Sequence, residues 1–278
     1  MDNKLFKITN NNIRNISVFL ELFKFRSLIL IIFQREFLST YKQTILGPLW
    51  IILNPIITSF VFVVIFSKVG NISTDNIPPF LFYFSALTIW NYFQNNLIQI
   101  SSFYIASASY FRKLYFPRLI IPFSYLLNNS VRFLIQFFIL ILFCYLIYDV
   151  KLIFNFQTAS IIVFVYLYCS LFCLGLGLIL NSFTYKFRDL TYLTTYALSV
   201  WMFLSPVVYP ISQAPLKLKI ILSLNPITPI IELFRYSIFG YGSFSIFSIM
   251  LSIIFLLFFL TLGIFMFTKT EKDFIDTV

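Results

Sequence analysis

Residues 244–267 read FSIFSIMLSIIFLLFFLTLGIFMF, which is 24 residues without a single Asp, Glu, Lys or Arg. A helix needs about 20 mainly apolar residues to cross the hydrocarbon core of a bilayer, which is roughly 30 Å thick. This stretch is therefore long enough to span a membrane, and it is too apolar to cover the surface of a water-soluble domain.

Five further apolar runs of similar length precede it. The chain of 278 residues is 60% apolar and 11% charged, whereas a soluble domain carries about 25% charged residues. We therefore predict an all-α integral membrane protein with six transmembrane helices. The predicted spans cover residues 45–66, 80–99, 119–148, 158–183, 190–209 and 244–267.

The chain contains no histidine. That composition excludes a Ser-His-Asp triad, a histidine-ligated metal site and a histidine proton relay. Cys144, Cys169 and Cys173 lie inside apolar runs, where we expect them to pack as small residues rather than form disulfides or bind zinc. In span 4, Gly177 and Asn181 continue the Cys169–Cys173 spacing at steps of four, which favours close helix packing.

The basic residues indicate how the spans are oriented. Of the 20 Lys and Arg residues, fourteen lie on the side of the two termini, five lie on the opposite side, and one lies within a span. Because cytoplasmic segments are enriched in Lys and Arg, both termini are predicted to be cytoplasmic. This orientation accounts for the net charge of +10 without a nucleic-acid partner.

The predicted membrane domain covers residues 18–267, between a polar N-terminal tail at residues 1–17 and a cytoplasmic C-terminal tail at residues 268–278. Within residues 18–42, apolar side chains recur on one helical face, and Arg26, Arg35 and Lys42 interrupt the pattern. This pattern predicts a helix in the cytoplasmic membrane interface, with its apolar face in the acyl chains. A helix packed on a soluble core would look similar.

The loop between spans 5 and 6 is long but apolar. Its prolines divide it into two short pieces, at about residues 216–224 and 230–239, and neither piece is long enough to span a membrane. We predict two short re-entrant or interfacial helices on the outer side. Broken backbone at membrane depth needs protein or a water-filled cavity around it.

The loop after span 2 alternates cations with aromatic rings between residues 110 and 118. One interpretation is an anchor at the membrane interface, where basic and aromatic residues gather. The other is a short helix that docks on a soluble partner, with the rings supplying buried area and the arginines fixing the register.

Short motifs occur in order from about residue 21 to residue 267. They are Arg35-Glu36, Tyr41-Lys42-Gln43-Thr44, Leu46-Gly47-Pro48-Leu49-Trp50, Asn54-Pro55, Tyr115-Phe116-Pro117-Arg118, Arg188-Asp189-Leu190, Ser205-Pro206-Val207-Val208-Tyr209-Pro210 and Leu224-Asn225-Pro226-Ile227-Thr228-Pro229 with Arg235. Together they resemble the motifs of polysaccharide-exporting ABC transporter permeases of the type-2 group. The chain departs from that family at Thr40, where a basic residue is frequent, and at Glu36, where aspartate is common.

The resemblance implies a homodimer of six-span subunits in the cell inner membrane, each resting on a separate cytoplasmic ATP-binding subunit. The implied substrate is an undecaprenyl-linked glycan, such as the O-antigen of lipopolysaccharide biosynthesis or a teichoic acid chain. The chain has no Gly-x-x-x-x-Gly-Lys-Ser/Thr loop to hold nucleotide phosphates, so ATP and magnesium are expected on the partner. We expect no catalytic residue, cofactor or metal in this chain itself.

By the same resemblance, the loop after span 2 is the coupling helix that contacts the ATPase. We expect Phe111, Arg112 and Tyr115 to dock on that partner. The full set of coupling candidates is Phe111, Arg112, Lys113, Tyr115, Pro117 and Arg118.

Aromatic residues make up 21% of the chain. Most of them are expected to face lipid or to anchor the interfaces, but an aromatic face can also bind the C–H face of a sugar. We therefore hypothesise that rings near the span ends face the dimer axis and line a glycan channel. The candidates are Tyr41, Trp50, Trp90, Tyr92, Phe93, Tyr192, Tyr196 and Trp201.

Span 3 places Ser124, Asn128, Arg132 and Gln136 at steps of four, on one side of a helix. An arginine inside a membrane costs at least about 2.5 kcal/mol, so it should face protein or water. Arg132 is predicted to lie about 20 Å from the start of the span, in the outer half. Glu232 is its expected partner, either as an outer gate or as structural glue between helices. The outer-gate candidates are Arg132, Pro206, Tyr209, Asn225, Pro226, Glu232 and Arg235.

Three other functions fit the sequence less well. A type-2 permease for a drug or another lipid would share the architecture, but the aromatic surplus and the Tyr-Phe-Pro-Arg loop disfavour it. An ion-coupled transporter needs titratable groups inside its spans, and no acidic residue lies clearly at mid-membrane depth. A membrane polyprenyl-phosphate glycosyltransferase needs carboxylates that hold Mg²⁺. The one Asp-x-x-Asp pair, Asp273 and Asp276, lies in the C-terminal tail.

Overall fold

The computed structural model describes residues 25–42, 44–107, 116–148 and 155–277. These residues form helices joined by loops, and none of them lies in a β-strand. The helices are α1 (Arg26–Tyr41), α2 (Trp50–Phe62), α3 (Pro79–Ser101), α4 (Phe103–Ala106), α5 (Ile120–Leu146), α6 (Phe156–Thr184), α7 (Leu190–Phe203), α8 (Leu216–Leu224), α9 (Thr228–Phe239) and α10 (Ile246–Thr277).

Four segments of the described chain are long and apolar enough to cross a membrane. The first joins α2 to a 3₁₀ turn before it and to a π-helical turn after it. The prediction of an all-α protein with several membrane-spanning helices is confirmed. The four segments are Gly47–Val69, Ile120–Leu146, Phe156–Thr184 and Ile246–Glu271.

The two other predicted spans are also helical, but they differ from these four. α3 carries polar residues, and most of its side chains are buried inside the protein. α7 has 14 residues, which at 1.5 Å per residue is about 21 Å. The predicted span 190–209 is therefore too long. The helix ends at Phe203 because Pro206 lacks a backbone N–H and disfavours helical backbone in Ser205 before it.

α10 extends well past residue 267, the predicted end of span 6. It continues to Thr277, so residues 268–277 prolong the helix instead of forming a separate tail. No Gly or Pro follows Phe267 to end the helix, and such residues are the usual signals for a helix C-terminus.

α1 packs along α5, so its predicted apolar face does not lie wholly in acyl chains. Ser124 Oγ of α5 lies 3.3 Å from the Ile29 carbonyl oxygen, and Ile32 is buried. Protein therefore covers part of the apolar face of α1 that was predicted to lie in lipid. Its exposed apolar residues lie elsewhere, at Leu30, Ile31 and Leu38.

Polar side chains join α3, α5 and α6 in the interior. The Tyr92 hydroxyl of α3 lies 2.7 Å from Ser170 Oγ of α6. Asn129 Nδ2 of α5 donates to Asn96 Oδ1 (2.8 Å) and to Gln99 Oε1 (2.9 Å), both on α3. A buried polar group is costly unless it is hydrogen-bonded, so these pairs explain how α3 can carry polar residues in an apolar bundle.

Glycines bring α6 and α10 into direct backbone contact. A Cβ placed on Gly175 would lie 2.6 Å from the Leu260 backbone nitrogen, and a Cβ on Gly263 would collide with the Gly175 carbonyl. On the other side of α6, a Cβ on Gly177 would lie 2.6 Å from the Ile100 side chain of α3. The predicted close packing of span 4 is confirmed, and Cys169 and Cys173 are buried within it as free thiols.

Candidate functional site

Asn225 is the residue after α8, and its side chain forms hydrogen bonds to both ends of the segment that connects α7 to α9. Its amide nitrogen donates to the Leu204 carbonyl oxygen (2.9 Å) and to Ser205 Oγ (2.9 Å). Its oxygen accepts from Trp201 Nε1 (3.1 Å) and from the backbone N–H of Ile227 (3.1 Å). A side-chain amide has two donor hydrogens and two acceptor lone pairs, so all four are engaged. Asn225 ties the end of α7 to the turn before α9.

A buried ion pair holds α9 in place. Arg235 Nη1 lies 3.1 Å from Glu232 Oε1, and the two side chains are 1% and 2% exposed. Glu232 Oε2 also accepts from the backbone N–H of Ser243 (3.0 Å). Arg235 Nη2 donates to the Phe82 carbonyl oxygen (3.2 Å), and its guanidinium lies 3.5 Å from the centre of the Phe82 ring. The pair thus joins α9 to the start of α3 and to the segment before α10.

Burial and the opposite charge shift the pKa values of this pair in opposite directions. Burial raises the pKa of the Glu232 carboxyl, while the Arg235 guanidinium and the Ser243 N–H lower it. Burial also lowers the pKa of Arg235, while the Glu232 carboxylate raises it. Each charge therefore depends on the other for compensation. Within the described ranges, no group of three or more Cys, Asp and Glu side chains is placed to hold a metal ion.

Arg132 is separate from this pair. Its guanidinium lies 5.5 Å from the ring centre of Tyr41, the last residue of α1, and it forms no ion pair with any described residue. The predicted Arg132–Glu232 pair is therefore wrong. Glu232 has its cation three positions along its own helix. Moreover, Arg132 faces α1, while its neighbour Phe133 contacts Phe234 of α9.

The other gate candidates lie in α9 or in the segment that leads to it from α7. The Tyr209 hydroxyl donates to the Phe203 carbonyl oxygen (3.1 Å), and the Pro226 carbonyl oxygen accepts from the Tyr168 hydroxyl (3.3 Å). Pro206 is buried. It lies between Ser205, whose hydroxyl oxygen accepts from Asn225, and Val207, whose carbonyl oxygen accepts from Arg235. Because these residues lie around α9, they remain gate candidates.

Three of the predicted channel rings pack inside the subunit. Trp90, Tyr92 and Phe93 are at most 3% exposed, and the Tyr92 hydroxyl takes part in the interior contact with Ser170. These positions follow one another within four residues of α3, so they point in different directions, all covered by protein. The prediction that these three line a channel is wrong.

The remaining channel candidates are accessible to different degrees. Tyr192 and Tyr196 lie one turn apart on α7 and are 81% and 73% exposed, and Trp50 is 48% exposed. Tyr41 is half-buried beneath Arg132. Trp201 is half-buried, and its Nε1 donates to Asn225 Oδ1. It therefore helps to hold the turn before α9 in place. Among the channel candidates, the exposed rings thus lie on α7 and at the start of α2.

Only the end of the predicted coupling loop is described; Phe111, Arg112, Lys113 and Tyr115 lie outside the described residues. After the half-buried Pro117, Arg118 Nη1 donates to the Glu271 carbonyl oxygen (3.2 Å), and its Nε lies 3.9 Å from the Glu271 carboxylate. Its guanidinium also lies 5.8 Å from the Tyr104 ring centre of α4. That ring stacks on Phe267 of α10 at 6.1 Å. The loop end is therefore attached to both α4 and α10.

Sequence reasoning missed Ser243 and Glu271, which contact the predicted residues Glu232 and Arg118. Ser243 contributes its backbone N–H, and Glu271 contributes its backbone carbonyl as well as its carboxylate. Since almost every residue carries a backbone N–H and carbonyl, the sequence holds no signal for the two backbone contacts.

The chain is similar to known membrane proteins over most of its length. A family model described as ABC-2 type transporter matches residues 27–239. An O-antigen export system permease protein RfbA of Myxococcus xanthus is 29% identical over 219 residues, which are 77% of this chain and 81% of that protein. Two proteins of the same name from Klebsiella pneumoniae are 26% and 24% identical, over 79% and 75% of this chain and 84% and 78% of theirs.

Proposed function

Because the chain belongs to the ABC-2 type transporter family, we propose that it is the membrane subunit of an ATP-driven polysaccharide exporter. Its cargo is an undecaprenyl-linked glycan, such as an O-antigen or a teichoic-acid-like chain, moved from the cytoplasmic side across the inner membrane. The observation that carries the proposal is the similarity of at least 75% of the chain to proteins named O-antigen export permeases. The four spanning segments supply the membrane architecture that such a subunit needs.

The proposed topology has six spans, with α3 and α7 added to the four apolar segments. Support for α3 comes from its central place, because its polar residues are bonded to α5 and α6 rather than left facing lipid. α9 is proposed as a re-entrant helix. Eleven of its twelve residues are buried, which meets the requirement that interrupted backbone in a membrane be surrounded by protein. α8 exposes Leu218, Ile220 and Ile221 and is proposed to lie in the outer interface.

The ATP-binding partner is proposed to sit on the cytoplasmic side, below the loop at residues 111–118. Both termini lie on that side by the distribution of Lys and Arg. Two copies of the chain form the transporter, each on its own ATPase subunit, which binds the ATP and magnesium. Because Arg118 is bonded to Glu271, a force applied to the loop by the ATPase would reach α10 directly.

The glycan path is proposed to run along the exposed rings of α7, between the two copies. Tyr192 and Tyr196 present the largest exposed aromatic surface on that helix. Their rings can contact the C–H faces of successive sugar units without a fixed hydrogen-bond pattern, which permits the chain to slide.

Deletion of the gene tests the function. We expect surface glycan to disappear and lipid-linked glycan to accumulate on the cytoplasmic side, with wild-type chain restoring both. An ATPase partner that lacks its phosphate-binding lysine should give the same phenotype, because the energy comes from that subunit. Unchanged surface glycan after deletion would contradict the proposal. If drug susceptibility changed instead, a drug permease would be the correct function.

Replacement of the two most exposed rings of α7 tests the path. We expect Tyr192→Ala with Tyr196→Ala to lower export several-fold, because each ring supplies a sugar contact worth about 1 kcal/mol. Expression and thermal unfolding should stay unchanged, since both side chains are exposed. Leu193→Ala is the matched control, because Leu193 is 62% exposed on the same helix but is not aromatic. Equal export by the two variants would argue against ring contacts.

A further inference from the structure

An apolar groove of about 640 Å³ runs between α2 and α5. All nine residues that line it are apolar: Ile52 and Ile56 come from α2, and the other seven lie between Val131 and Phe143 of α5. At 1.5 Å per residue, this wall of α5 is about 18 Å long. One leaflet of hydrocarbon is about half of a 30 Å core, so the groove has the length of one acyl chain.

The groove is open to the surroundings of the subunit. Leu134 and Phe138, on its α5 wall, are 59% and 66% exposed, and only three of the thirteen residues of α2 are buried. In a membrane, such an opening is filled by lipid tails. Because lipid tails are as apolar as these side chains, the lining by itself selects no particular lipid.

Arg132 supplies the selectivity that the apolar lining lacks. It lies seven residues before Ile139, two turns earlier on the same side of α5. Helical side chains lean toward the N-terminus of their helix, and the Arg132 guanidinium lies 5.5 Å from the ring centre of Tyr41, where α1 ends. The cation is therefore placed at the end of the groove nearest to α1. In the proposed topology, this is the cytoplasmic end.

The charge of Arg132 is not neutralised by the part of the chain that the structure describes. The side chain is half-buried, and no described carboxylate lies within ion-pair distance of it. The sequences of α2, α3 and α5 contain no Asp or Glu, and the one carboxylate of α1, Glu36, follows Arg35 directly in the chain. A cation at membrane depth is costly unless it finds a partner, so an anion is favoured here.

We propose that this groove binds an anionic phospholipid of the inner leaflet, with its phosphate at Arg132 and one acyl chain between α2 and α5. A guanidinium binds phosphate oxygens through two parallel hydrogen bonds, and basic pockets between membrane helices on the cytoplasmic side suit lipid headgroups. One cation on the groove face matches the single charge of a phosphodiester. An undecaprenyl tail is longer than the groove, so the site is assigned to a bilayer lipid and not to the glycan carrier.

The test is lipid binding to the purified full-length chain, measured by native mass spectrometry in detergent. Phosphatidylglycerol is compared with phosphatidylcholine that has the same acyl chains. We expect the first phosphatidylglycerol to bind about tenfold more tightly, the scale of a hydrogen bond to a charged group. Arg132→Gln should remove that preference. Arg188→Gln is the matched control and should retain it, because Arg188 is exposed and lies outside the groove.

Two further variants test the headgroup and the tail separately. Arg132→Lys keeps the charge and should keep most of the preference, whereas a purely structural role of the guanidinium above Tyr41 predicts no such rescue. Ile135→Trp fills the groove and should weaken the binding of both lipids severalfold. Its matched control is Leu167→Trp, because Leu167 is 49% exposed on α6 and does not line the groove.

Three results with phospholipids would overturn the proposal: equal binding of both lipids by the wild type, an unchanged preference in Arg132→Gln, or an equal loss in Arg188→Gln. Undecaprenyl phosphate is the third probe. If it displaced phosphatidylglycerol at equal concentration, the groove would belong to the glycan carrier. Loss of the dimer in Arg132→Gln with unchanged lipid binding would make the groove an interface between copies. The export function is tested independently, by gene deletion.

Discussion

Arg235→Met is expected to destabilise the folded chain by about 3–5 kcal/mol, the cost of leaving one buried charge without its partner. Glu232 would keep its place inside the protein at 2% exposure and lose the guanidinium that opposes the effect of burial on its pKa. The midpoint of thermal unfolding in detergent, followed by circular dichroism or by a thiol-reactive dye, measures the change.

A second substitution distinguishes loss of the pair from loss of a side chain. Glu232→Gln removes the charge but keeps an oxygen that can accept from the Ser243 N–H. We therefore expect Glu232→Gln with Arg235→Met to be more stable than Arg235→Met alone. Arg188→Met is the control, because Arg188 is exposed and its loss should cost no more than about 0.5 kcal/mol. Additive effects of the two substitutions would show that the pair carries no coupling.

Gly175→Leu is expected to separate α6 from α10 and to cost about 3 kcal/mol, the upper end for overpacked cores. Even the first added carbon would lie 2.6–2.7 Å from backbone atoms of Leu260 and Phe259. Backbone cannot turn aside as a side chain can, so the two helices must move apart. Yield of monodisperse protein and the thermal midpoint are the measurements.

Ser160→Leu is the matched control for this change. It places the same side chain on the same helix, at an exposed position near its start. A leucine there has room, so yield and midpoint should stay close to those of the wild type. If Gly175→Leu were tolerated equally well, the close approach of α6 and α10 would be refuted.

Long uncharged runs made the main spans predictable. α2, α5, α6 and α10 follow from hydrophobicity alone, because about 20 apolar residues have no other stable environment. The end of α7 was predicted six residues too late, since Val207 and Val208 continue the apolar run beyond Pro206. Hydropathy records the polarity of side chains, whereas a proline acts through the backbone.

Pairs between charged residues that lie far apart in the sequence were harder to predict. Glu232 and Arg235 are three residues apart on one helix, and that local signal was present in the sequence. The partner of Arg132 depended instead on which way its helix faces. Successive residues of an α-helix point about 100° apart, so Arg132 and Phe133 contact different neighbours.

The number of aromatic rings gave no information about their exposure. Trp90 and Phe93 of α3 are buried, while Tyr192 and Tyr196 of α7 are not, although all four lie in predicted spans. The difference comes from position in the bundle: protein surrounds α3, whereas α7 has neighbours on one side only. A single sequence does not contain that information.

The hydrogen bonds of Asn225 impose a mechanical constraint on transport. The Asn225 side-chain amide is hydrogen-bonded to Trp201 and Leu204 at the end of α7 and to Ile227 in the turn before α9. If α7 tilts during a transport cycle, the start of α9 must travel with it unless the three bonds from Asn225 to Trp201, Leu204 and Ser205 break. In the proposed transporter, movement of α7 beside the glycan path and movement of the re-entrant helix α9 would then be a single kinetic event, with one barrier and one rate.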